Sequence, residues 1–135
     1  MNFISGINAT SSALEAEKIR MDIVAENISN AYTTKGIDGK VYQRKTVAFE
    51  ALLAGGGERG GGVRISEIGT DSTPGELVHN PTHPHANKDG MVQMPNVSVS
   101  TEMVDLLAAS RAYEANLAVV RNARQMAAKA LTIGR

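Results

Sequence analysis

Apolar residues return at seven-residue intervals at both ends of this chain, and the two stretches that carry them are free of proline. Near the N-terminus Ile7, Leu14, Met21 and Ile28 stand one heptad apart, Val24 and Ala31 extend the same side, and Gly6 is the only glycine. Glu15, Lys18, Asp22 and Glu26 fall elsewhere around the axis. This spacing predicts a helix with a coiled-coil-like seam over residues 1–31, about 40 Å long and too narrow in its stripe to be stable alone. The C-terminal stretch, residues 99–135, is Ala-rich, has Gly134 as its single glycine, and predicts a second, longer helix. Ser98, Ser100 and Thr101 are N-cap candidates, and Glu102 and Asp105 follow in the first turns. Beyond Glu114 every charged residue is basic, so acid leads and base trails as the helix dipole favours. On this reading Glu102, Asp105 and Glu114 are solvated or complement the dipole.

The C-terminal helix carries two apolar seams. One runs through Met103, Leu106, Tyr113, Leu117, Val120, Ala127 and Leu131, the other through Ala112, Asn116, Val119, Ala123, Met126, Ala130 and Ile133. They lie five heptad positions apart, or about 140° around the axis. A helix with one apolar face packs on one partner, and this helix has two. The expectation is that Ile7, Leu14, Met21 and Ile28 pair with Leu106, Tyr113, Leu117 and Val120 inside one subunit. The smaller Ala112, Asn116, Val119, Ala123, Met126 and Ala130 are then left for a neighbouring subunit.

Residues 32–98 are of another kind. All four prolines lie here, Gly-Gly-Gly-Glu-Arg-Gly-Gly-Gly spans residues 55–62 as a flexible loop, and short β-like runs occupy Val41–Phe49, Val63–Ile68, Glu76–His79 and Met91–Met94. The fold class expected is mainly α with a small β-rich middle, the two terminal helices pairing as a coiled coil.

Composition closes off several functions. Lys plus Arg and Asp plus Glu are 14 each, so the net charge is +0, and the basic residues are scattered; no nucleic-acid partner is expected. Cys is 0, which removes disulfides, thiolate metal sites and cysteine nucleophiles. No run approaches the ~18 apolar residues of a membrane span, and the N-terminus lacks the charged and unbroken apolar regions of a cleavable signal peptide. Gly55 to Gly60 formally satisfies G-x-G-x-x-G, but a strand-like run rather than a helix follows, so the dinucleotide reading fails on context. His79, His83, His85 and Asp89 lie within eleven residues and have ligand chemistry. They sit in a Pro-interrupted loop, where a rigid turn with the His83 ring bonded to backbone is the simpler reading. No catalytic, cofactor or metal residue and no small-molecule substrate is expected.

Longer words in the sequence carry a resemblance. The run from Ala13 to Ala31, with Tyr42-Gln43-Arg44-Lys45 after it, resembles the N-terminal motif of the flagellar rod and hook protein family. Asn80-Pro81-Thr82-His83-Pro84, the run Asp89 to Val97, and the run Glu102 to Asn116 are similar to the loop and C-terminal signature of its proximal-rod type. Ser29, Tyr32 and His85 depart from the family's usual Ala, Asn and Asp. The resemblance implies a non-enzymatic subunit of the basal-body rod, exported without a cleavable signal peptide by the flagellar type III apparatus into the periplasm. Its implied partners are copies of itself, other flagellar rod proteins and the export gate, to which Phe3 and Ile7 would present a short hydrophobic signal. Residues 1–31 and 99–135 would then form the two parts of a rod-core domain.

Overall fold

A computed structural model describes residues 3–52 and 61–134. Two long helices, α1 (Phe3–Ser29) and α2 (Val99–Ile133), enclose four short strands: β1 (Lys45–Leu52), β2 (Gly62–Thr70), β3 (Leu77–His79) and β4 (Met91–Gln93). The protein is thus mainly α with a small antiparallel strand-containing middle. The strands form two separate hairpins, β1 with β2 and β3 with β4, rather than one sheet. Most of the loop at residues 55–62, including Gly55 to Gly60, lies outside the described residues.

The helices run antiparallel. Asn27 near the end of α1 meets Glu102 in the first turn of α2, and Arg20 pairs with Asp105. On α1, past the exposed Gly6, the exposed positions are Asn8, Ser11, Glu15, Lys18, Asp22, Ala25 and Ser29, a mainly polar stripe with three- and four-residue spacing. The opposite side, with Ala16, Val24, Asn27 and Ala31, is buried. Four Ala and Val side chains and Val92 make up the apolar core, and the largest fully buried side chains are Glu102 and Asn27. Small residues let the helix backbones approach closely, at the cost of little apolar area per residue.

Two expectations about α2 need correction. Glu102 is not a solvated acid: its exposure is 0%, because the start of α2 lies against α1 and the root of β1. The dipole is complemented at one end only, since Glu102 is in the first turn while the last turn carries no basic residue among those described. Ser98 is the N-cap by backbone conformation, but its hydroxyl makes no capping bond and instead accepts from Thr101 Oγ1 at 3.1 Å.

The middle segment is anchored by close approaches. Ser12 Oγ on α1 accepts the Val63 N–H at 3.1 Å, and a Cβ at Gly62 would lie 2.6 Å from that oxygen, so β2 starts at a glycine. The β1–β2 register runs from Lys45↔Thr70 to Leu52↔Gly62, with Ser66 bulged out where Ala48 and Phe49 pair with Glu67 and Ile65. Gly75 packs its bare Cα on the Met94–Pro95 backbone, where a Cβ would meet the Met94 carbonyl at 2.0 Å. Gly90 turns β3 toward β4 with φ of 73°.

Candidate assembly interface and the buried junction

A polar junction ties α1, the root of β1 and α2 together. Asn27, 1% exposed, uses its whole hydrogen-bonding capacity. Its Oδ1 accepts from the Lys45 N–H at 2.9 Å and from the Tyr42 hydroxyl at 2.8 Å. Its Nδ2 donates to the Lys45 carbonyl at 2.9 Å and to Glu102 Oε2 at 3.1 Å. The other carboxylate oxygen of Glu102 receives Arg44 Nε. Asp105 adds a second carboxylate, 3.6 Å from Arg44 and 3.5 Å from Arg20. Asn96 completes the joint, accepting the Arg44 N–H at 2.8 Å and donating to the Asp71 carbonyl at 2.9 Å.

Electrostatics follow from this packing. Burial, with the carboxylates of Glu26 and Glu102 nearby, pushes the Tyr42 hydroxyl up to about 12. Tyr42 is therefore a neutral hydrogen-bond donor at any physiological pH. Lys45 closes the outer edge, its Nζ 2.6 Å from Glu26. These residues present no nucleophile beside a base; the arrangement holds elements together.

Sequence reasoning missed this junction. At a helix start Glu102 reads as a solvated acid, and the N-terminal heptad runs through Ile28, one residue beyond Asn27. The available signal was spacing: Asn27 falls three residues after Val24 and four before Ala31, on the buried side of α1.

The structure brings the two apolar seams of α2 partly together. Toward α1 it turns Leu106, Tyr113, Val120 and Ala127 from one seam, alternating with Ala109, Asn116 and Ala123, all of them buried or half-buried. Positions three and four apart lie within about 60° of each other, so one helix–helix contact takes both. Leu117 and Ala112 are half-buried at its flanks, and Ile7, Leu14, Met21 and Ile28 are half-buried along α1. Val119 at 53%, Met126 at 66% and Ala130 remain exposed, in line with Val104, Ala108, Ala115 and Ile133. That strip is mainly apolar, with Asn122 within it, and it is uncovered. The side chain of Phe3 lies outside the described residues.

The histidine loop is a turn. His83 Nδ1 accepts the His85 N–H at 3.0 Å, and His85 Nδ1 is 2.8 Å from the Thr34 hydroxyl. Among the described residues no group of three or more His, Asp or Glu is arranged to hold a metal ion.

Comparison with known proteins places these features. The family described as "Flagella basal body rod protein" matches residues 7–36, and "Flagellar basal body rod FlgEFG protein C-terminal" matches residues 88–133. The flagellar basal-body rod protein FlgC of Bacillus subtilis (strain 168) is 38% identical, covering 100% of both chains. That of Yersinia enterocolitica is 39% identical over 99% of each. That of Agrobacterium fabrum is 42% identical over 90% of this chain and 88% of its own.

Proposed function

The chain belongs to the family of the flagellar basal-body rod protein FlgC, and from that membership we propose how its surface builds a rod. It is a structural subunit of the proximal rod and not an enzyme. Its site of action is the basal body. There it assembles with other rod components and with copies of itself, in the periplasm, and carries torque through interlocked apolar contacts. The flagellar type III apparatus delivers it, with Phe3 and Ile7 read by the export gate.

The observation that carries the assembly reading is the uncovered strip on α2. The chain exposes 9710 Å². A compact monomer of its 14.3 kDa would expose about 6,800 Å². Two long helices that share a single contact contribute to that excess. α1 turns a polar stripe outward, whereas α2 turns Val104, Val119, Met126 and Ile133 outward. An exposed apolar strip of this extent marks a contact surface. Leu106, Tyr113, Leu117 and Val120 pack with Ile7, Leu14, Met21 and Ile28 as the coiled-coil side. Of the second seam, Ala112, Val119, Met126 and Ala130 serve the neighbour, with the exposed Val119, Met126 and Ala130 meeting it first, while Asn116 and Ala123 lie on the side turned toward α1. A heterologous contact whose rotation does not close propagates a helical tube, as a rod requires.

The test is Val119→Asp combined with Met126→Asp. The double variant should unfold at the parent's midpoint and be exported, yet yield no rods and no swimming cells. Swimming at the parent's speed would contradict the reading.

A further inference from the structure

The seam between α1 and α2 discriminates poorly between registers. On α2 it repeats every seven residues, with Leu106, Tyr113 and Val120 at one position and Ala109, Asn116 and Ala123 at the other. Its α1 side repeats likewise, with Ile7, Leu14, Met21 and Ile28 half-buried at seven-residue intervals and the smaller Ala16, Val24 and Ala31 buried beside them. Sliding α2 by one heptad moves it about 10 Å along α1 and sets similar residues opposite each other again. One place in the seam is unlike the rest. Asn27 and Glu102 are 1% and 0% exposed, and two of the four bonds of Asn27 go to the backbone of Lys45, which does not travel with α2.

A one-heptad slide puts Ala109 opposite Asn27 and carries the Glu102 carboxylate away from Asn27 and Arg44. An uncompensated buried charge is strongly disfavoured, while a compensated one adds little net stability over an apolar pair. We infer that Asn27 and Glu102, clamped by Arg44, specify the register of the helix pair. A polar pair at a single seam position is a device of this type. Asp105 keeps Arg44 paired if Glu102 is replaced.

The chain has no cysteine, so spin labels can be placed at Lys18→Cys and Arg121→Cys, both exposed, in the full-length protein. Pulsed electron spin resonance then reads the distance between α1 and α2. The parent should give one dominant distance, and so should Glu102→Gln, whose carbonyl oxygen still accepts from Asn27 although its amide nitrogen can no longer accept from Arg44. Asn27→Leu combined with Glu102→Leu should keep the parent's helix content by circular dichroism and show a second population displaced by several ångström. A single parental distance in the double Leu variant would overturn the inference, because the register would then be set elsewhere. Loss of helix content in that variant, or no dominant distance in the parent, would overturn it as well.

Discussion

Asn27 is the residue on which most of the fold converges. Removing its side chain strips partners from Tyr42, from both backbone groups of Lys45 and from the buried Glu102 carboxylate. Each buried polar group left unpaired costs about 1–3 kcal/mol. Asn27→Ala is expected to lower unfolding stability by about 3 kcal/mol in a denaturant titration, with the midpoint falling and the slope unchanged. Tyr42 gives a pH signature. Its hydroxyl ionises at about 12 in the fold, against about 10 in an unfolded chain, so the folded state holds the proton more tightly. Its contribution is therefore complete below pH 10 and is lost as pH rises from about 10 to 12. Unfolding followed across that window should show stability falling with pH in the parent, and a shallower fall in Tyr42→Phe. Equal slopes would mean that Tyr42 is not held in the junction.

At the scale of elements, glycine positions and helix faces make separable predictions. Gly75→Ala forces a methyl onto the Met94 carbonyl, and overpacking against backbone costs about 1–3 kcal/mol, so thermal unfolding should come several degrees earlier. Gly6→Ala meets nothing within 4 Å and should be neutral or stabilising. On α2, Ala123→Leu overfills a half-buried position and should give exported protein that does not assemble. Arg121→Ala and Gln125→Ala, exposed and away from the buried side, should be mild. Motility plates separate these outcomes.

Both helices were legible in the sequence, because proline-free heptads leave few alternatives. The hairpins were legible as short β-runs, although β1 begins at Lys45 rather than Val41, since Tyr42 and Arg44 are drawn into the junction instead of the ladder. The junction was not legible. Its members lie as far apart as residues 27 and 102, and nothing local distinguishes a paired buried glutamate from one at a solvated helix start.

Over the whole molecule, the proposal is of a rod subunit whose α2 strip neighbours cover while the α1 stripe stays polar. Length supports the geometry. In the register set by Asn27 with Glu102 and Arg20 with Asp105, α1 ends near Met126, so the last turns of α2 extend beyond it. Leu131, on the side that faces α1 lower down, is accordingly 76% exposed. A cryo-electron microscopy map of isolated basal bodies at side-chain resolution tests this most directly. The chain should lie in the proximal rod, with Val104, Val119, Met126, Leu131 and Ile133 buried against adjacent subunits and Glu15, Lys18 and Asp22 outside that contact. A map in which the α2 strip faces solvent, or in which the chain lies outside the rod, would contradict it.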